Sequence, residues 1–177
     1  MSRNILLTGV PGVGKTQLVR RVLAEMDAKI GGFYTEEIRE RGKRVGFNIK
    51  TFDGRAGILA HVNHKGPHRV GKYGVNIGDL EQIAAGSVMT ALQKDDLVVI
   101  DELGRMELYS APFQQVVTEA LDSEKPVLGT IQVRRNPFLD CVRARDDVRL
   151  VQVTADNRDA LVESVTRDLT DLLQGAT

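Results

Sequence analysis

The sequence predicts an α/β fold of three layers, with helices on both faces of a mostly parallel central sheet and an antiparallel β-meander inserted after the first helix. Three observations carry this. A short apolar run, Asn4-Ile5-Leu6-Leu7-Thr8, leads into Gly9-Val10-Pro11-Gly12-Val13-Gly14-Lys15-Thr16, a GxxxxGK[ST] pattern, and then into Leu18, Val19, Val22, Leu23 and Met26 at helical spacing. The stretch Asp96-Leu97-Val98-Val99-Ile100-Asp101-Glu102 is near-continuously apolar and ends in two carboxylates, as a parallel strand covered on both faces does. Between them the period changes to two: Val45, Phe47, Ile49 and Thr51 alternate with Gly46, Asn48 and Lys50.

Taken in order, the first strand and the helix that starts near Lys15 are followed by extended chain. Turn residues Arg41-Gly42-Lys43 and Asp53-Gly54 bracket the alternating strand, so Gly32 to Val62 reads as a β-meander, either an added layer or an extension of the sheet edge. His64 to Asn76 has no apolar period and reads as a loop rich in Gly and cations that could lie over phosphates. Asp79 to Gln93 reads as a helix with Asp79 near its start and Leu80, Ile83, Ala84, Val88 and Leu92 on one face. Ser110 and Pro112 open a helix whose stripe is Phe113, Val116, Val117, Ala120 and Leu121. Pro126 to Ile131 reads as a buried strand, Phe138 to Arg143 as a short helix, and Arg149 to Val153 as a strand. The closing helix runs from Asp156, with Leu161, Val165, Leu169, Leu172 and Leu173 as its apolar face and Gly175 as its stop.

A length of 177 residues suits one domain, 1–177. The 42% hydrophobic and 27% charged content is that of a soluble globular protein. Lys+Arg and Asp+Glu balance at 24 each, which leaves no electrostatic footprint for nucleic acid or an anionic membrane. Cys141 is the single cysteine, so no internal disulfide is possible and a reducing compartment is the simplest setting. No apolar run approaches the roughly 20 residues that span a bilayer. The first strand begins at once, leaving no room for a signal peptide, and a cytoplasmic protein is expected. His61, His64 and His68 lie on a strand running into a loop with no cysteine or acidic cluster beside them, so they are not read as a metal site.

The chemistry follows from the motifs. Glycines at Gly9, Gly12 and Gly14 let backbone amides turn inward as an anion nest, and the helix behind them adds the positive end of its dipole. Lys15 then reaches the β and γ phosphates, and the Thr16 hydroxyl ligates a magnesium ion (Mg2+) bridging them. Asp101, at a strand tip, is expected to hold that ion opposite Thr16. Glu102 beside it is placed to orient and polarise a water for in-line attack. A cation should complete the site where charge develops. Candidates are Arg134, Arg135, Arg105 and Lys72, with Arg134 and Lys72 leading.

Four blocks together resemble the THEP1-type nucleoside-triphosphatases, a P-loop NTPase family. They are GVPGVGKT at Gly9 to Thr16, GGFYTEEIRE at Gly31 to Glu40, VGKYGVN at Val70 to Asn76 and VVIDELGRMEL at Val98 to Leu108. The resemblance covers nearly the whole chain. It implies a magnesium-dependent enzyme that hydrolyses ATP, GTP, CTP and UTP to diphosphate and phosphate with weak base selectivity. It also implies nucleotide contacts from the Gly9 to Thr16 loop and from Leu97, Val98, Val99, Ile100, Asp101, Glu102, Leu103 and Gly104. Similar proteins often carry an Arg followed shortly by His-Pro, whereas this chain has Arg134-Arg135-Asn136-Pro137, which leaves Arg134 as the transferable position.

Three rivals remain. A nucleotide or small-molecule kinase must keep water from the γ phosphate, and Glu102 argues against that. A regulatory GTPase fits the DxxG match at Asp101-Glu102-Leu103-Gly104, but the guanine-reading NKxD element is missing; Gln93-Lys94-Asp95-Asp96 lacks the Asn and precedes the DxxG. A nucleotide sensor predicts tight binding without turnover. Nucleoside triphosphates are the expected partners, and the sequence names no protein partner.

Overall fold

In the computed structural model, residues 2–175 are described; Met1, Ala176 and Thr177, the ends of the 1–177 domain assignment, lie outside them. The chain runs through β1 (Asn4–Thr8), α1 (Lys15–Ala24), β2 (Ile30–Glu40), β3 (Lys43–Thr51), β4 (Ala56–His61), β5 (Arg69–Val70) and β6 (Tyr73–Val75). Then come α2 (Ile77–Asp79), a π-helical turn over Leu80–Ala85, α3 (Gly86–Lys94), β7 (Leu97–Leu103) and α4 (Ala111–Asp122). It closes with β8 (Val127–Ile131), α5 (Pro137–Arg143), β9 (Val148–Gln152) and α6 (Arg158–Gly175).

The nine strands of the described residues form one sheet in the order β5-β6-β4-β3-β2-β7-β8-β1-β9. The half from β2 to β9 is parallel, and β2 to β5 antiparallel. Neighbouring side chains on the parallel strands point to opposite faces, and each face is covered. Ile5 and Leu7 pack under Leu18, Val19 and Val22 of α1 and Val162, Val165 and Leu169 of α6. Leu6, Val98 and Ile100 pack under Phe113 and Val117 of α4 and Val88 of the preceding helix. Burial on both sides is why β1 and β7 carry apolar runs without alternation. On α6 the structure adds Val162 to the buried face and leaves Leu173 only half-buried.

The meander extends the sheet edge and adds no layer. One long strand makes the join, since β2 pairs parallel with β7 over Ile30 to Phe33 and antiparallel with β3 over Phe33 to Glu40. At the join Gly32 has φ +98°, and a Cβ there would meet the Val99 carbonyl oxygen at 2.1 Å, so the two strands approach this closely only through a glycine.

Two expectations are corrected. Residues 64–76 contain the β5–β6 hairpin, because Tyr73 and Val75 are buried: Tyr73 packs edge-on to Phe47, and the Arg44 Nε donates to its hydroxyl at 3.0 Å. Strands of two and three residues are too short for a period to register. The helix expected at Asp79 begins at Ile77, capped by Asn76, whose side chain accepts from the Asp79 amide at 3.1 Å. No helix among the described residues is long and apolar enough to cross a membrane. Cys141 is exposed on α5.

Candidate active site

The carboxyl ends of β1, β7 and β8 open into a cleft of about 640 Å³. One wall is the loop between β1 and α1. Gly14 caps α1 in a left-handed conformation with no side-chain cap, so the first-turn amides are left for a ligand. The Lys15 ammonium donates to the carbonyls of Gly9 at 2.8 Å and Val10 at 3.2 Å, which holds it over its own loop. Phosphate oxygens would take the place of these carbonyls.

The facing wall is acidic. Pairing of β7 with β8 slips between Ile100 and Leu103, and the irregularity frees Asp101 and Glu102 from the regular ladder to line the cleft. Asp101 is 2% exposed; its Oδ1 accepts from the Thr130 hydroxyl at 2.6 Å, and its Oδ2 is buried without a partner. Burial pushes this carboxyl up, while the Thr130 and Thr16 hydroxyls favour its charged form. A buried orphan carboxylate oxygen beside a threonine hydroxyl is the donor chemistry of a hard cation such as magnesium. No group of three or more His, Cys, Asp or Glu suited to a metal occurs among the described residues. A cation here would therefore complete its shell with substrate phosphate oxygens and water.

Glu102 Oε1 accepts from Gln132 Nε2 at 2.7 Å. Burial pushes its carboxyl up and the Asp101 carboxylate adds to that, whereas the Gln132 amide and Lys15 oppose it. Behind it lies Glu107, 3% exposed, in a 3-10 turn over Glu107–Tyr109. Its carboxyl is pushed up to about 8, first by burial and then by Glu102. Three carboxyls thus share one corner, and at neutral pH Glu107 keeps its proton.

Of the expected cations, Arg134 lines the cleft. Arg135 is turned to Asp140 at 3.1 Å, and Arg105 is exposed and outside the lining. Lys72 is corrected: it sits on the hairpin at the sheet's far edge, its ammonium 5.4 Å from the Tyr73 ring. That hairpin docks on Tyr109, whose hydroxyl donates to the Arg69 carbonyl at 3.0 Å, so its cations do not cover the cleft. The segment Leu97 to Gly104 divides between core and cleft. Leu97, Val98, Val99, Ile100 and Leu103 are core side chains, and the segment meets the cleft through Asp101 and Glu102.

Sequence reasoning missed Thr130, Gln132 and Glu107, and also the wall formed by Thr35, Glu36, Glu37 and Phe47 of β2 and β3. Glu36 is held there by Arg20 and by Lys50 at 2.9 Å. The signal for the wall was present in the GGFYTEEIRE block, which contains three of its four residues.

The sequence profile of a family described as NTPase matches residues 4–166. The nucleoside-triphosphatase THEP1 of Thermotoga sp. (strain RQ2) is 48% identical over 161 residues, which cover 91% of this chain and 92% of that protein. The crystal structure of THEP1 from the hyperthermophile Aquifex aeolicus matches with a TM-score of 0.86 at 32% identity, over 94% of this chain and 98% of that one. The solution structure of a human cancer-related nucleoside triphosphatase matches with a TM-score of 0.81 at 35% identity, over 96% and 98%.

Proposed function

The chain belongs to this NTPase family and is a THEP1-type nucleoside-triphosphatase, and from that premise we propose that it hydrolyses ATP, GTP, CTP and UTP with magnesium as cofactor and weak base selectivity. What supports the mechanism is one juxtaposition: the carboxylates at the slipped end of β7 face, across a single cleft, the unclaimed amides at the start of α1. The amides and Lys15 hold the β and γ phosphates. Thr16 and Asp101 would hold magnesium, which supplies charge neutralisation on the phosphate oxygens when bound.

Glu102 takes a proton from a water aligned with the terminal phosphorus. As the new P–O bond forms, the bond from the γ phosphorus to the β–γ bridging oxygen breaks and the electron pair leaves with the diphosphate. Arg134 meets the charge that builds on the γ oxygens. Weak base selectivity follows from a site whose recognised parts are phosphates, in a sequence without an NKxD element. A kinase reading is disfavoured because a carboxylate beside the magnesium acid recruits water where a kinase must exclude it. The single cysteine supports a reducing, cytoplasmic setting.

The experiment is phosphate release from each triphosphate by wild type and Glu102→Gln, with magnesium and with a chelator. The substitution is expected to cut release by about 10²- to 10⁴-fold with the nucleotide Kd unchanged. Release near the wild-type rate would remove Glu102 from the role, and release that survives chelation would remove the metal.

A further inference from the structure

The geometry points to Gln132 as a positioning residue for hydrolysis: its side-chain amide ties down one oxygen of Glu102 and leaves the other to face the attacking water. This rests on Glu102 being the base. Gln132 is the first residue past β8, and its main chain is clamped. Its amide donates to the Leu103 carbonyl at 3.0 Å. Its carbonyl accepts from Arg143 Nη2, which also donates to the Arg134 carbonyl at 2.9 Å. Arg143 is itself braced by Asp140 at 2.9 Å, with its side chain 18% exposed.

The side chain is clamped in turn, and with a direction. Gln132 Oε1 accepts from the Arg105 amide at 3.1 Å, so Nε2 is the end that meets Glu102 Oε1 at 2.7 Å. A flipped amide would set its NH2 against the Arg105 N–H and its oxygen against the carboxylate, losing both bonds and adding two repulsions. Gly104 makes the room, because a Cβ there would lie 2.5 Å from Nε2 and 3.0 Å from Oε1. Apart from Glu102, the hydrogen bond that orients this amide comes from the Arg105 backbone N–H. The glutamine therefore behaves as part of the frame, and Glu102 Oε2 is the oxygen left to accept the water's proton.

The test is a double-mutant cycle of Gln132→Met, which keeps volume but cannot donate, with Glu102→Gln; Gln132→Ala is a second probe. Phosphate release gives kcat and KM, a non-hydrolysable triphosphate analogue gives Kd, and thermal melting reports the fold. Gln132→Met is expected to lower kcat about 10- to 100-fold, as a small misalignment does, with KM and Kd unchanged. In the Glu102→Gln background the same change is expected to cost nothing further. A loss confined to KM, or losses that multiply in the double variant, would overturn the assignment of Gln132 while leaving Glu102 in place. Wild-type turnover by Glu102→Gln alone would take down both, and by a different arm of the cycle.

Discussion

The phosphate-loop wall of the cleft is made of backbone, with uncapped amides at the start of α1 and a lysine resting on its own loop carbonyls at 2.8 and 3.2 Å. The wall across from it is made of carboxyl side chains, Asp101 and Glu102 with Glu107 buried behind them, each pushed toward its neutral form by burial. The first wall can hold an anion before any chemistry begins. The second repels an anion until its charge is offset. On the proposed mechanism, binding and turnover fall to different parts of the sheet, one carried by main chain that mutation barely reaches and the other by side chains that mutation can remove singly.

Lys15 is the residue that joins the walls, since it holds the loop and also favours the charged forms of Asp101 and Glu102. Lys15→Ala should break the separation, lowering kcat/KM by more than about 10³-fold through binding and turnover together. Titration with a triphosphate analogue alongside phosphate release checks it; loss of kcat alone with Kd intact would place Lys15 wholly on the chemical side.

Arg134→Ala should sharpen the division. We expect kcat to fall about 10²-fold with KM nearly constant, because a cation that meets developing charge acts in the transition state. Single-turnover rates at saturating nucleotide measure this. A rise in KM at constant kcat would move Arg134 to the binding wall.

The smallest effect belongs to Glu107. Unfolded, its carboxyl ionises near 4.5; folded, it keeps its proton up to about 8. Its contribution to stability is therefore complete below the first value, erodes as pH rises, and is gone above the second. Tm of the wild type should fall across that window relative to Glu107→Gln, as read from melting curves taken at stepped pH. Parallel Tm curves for the two proteins would show that Glu107 is ionised in the fold.

The phosphate loop, β7 and α4 were legible because each is written in consecutive residues: the glycine spacing, the apolar run into Asp101 and Glu102, the Ser110 cap whose side chain accepts from the Phe113 amide at 3.1 Å. Thr130 and Gln132 were not. Each acquires its partner only through the β7–β8 pairing, about thirty residues away along the chain, and nothing local distinguishes them from any strand threonine or loop glutamine. Glu107 escaped for a related reason, since its burial comes from the turn that follows β7 and not from an apolar period. Lys72 failed in the other direction: a cation-rich loop resembles an anion site until the strand order places it at the far edge.

Cys141 gives the molecule a built-in attachment point. It is the chain's one thiol, exposed on α5 two residues before the arginine that grips the Gln132 and Arg134 carbonyls. A maleimide dye placed there needs no engineered background, and its emission would follow rearrangements of that corner during a catalytic cycle in real time.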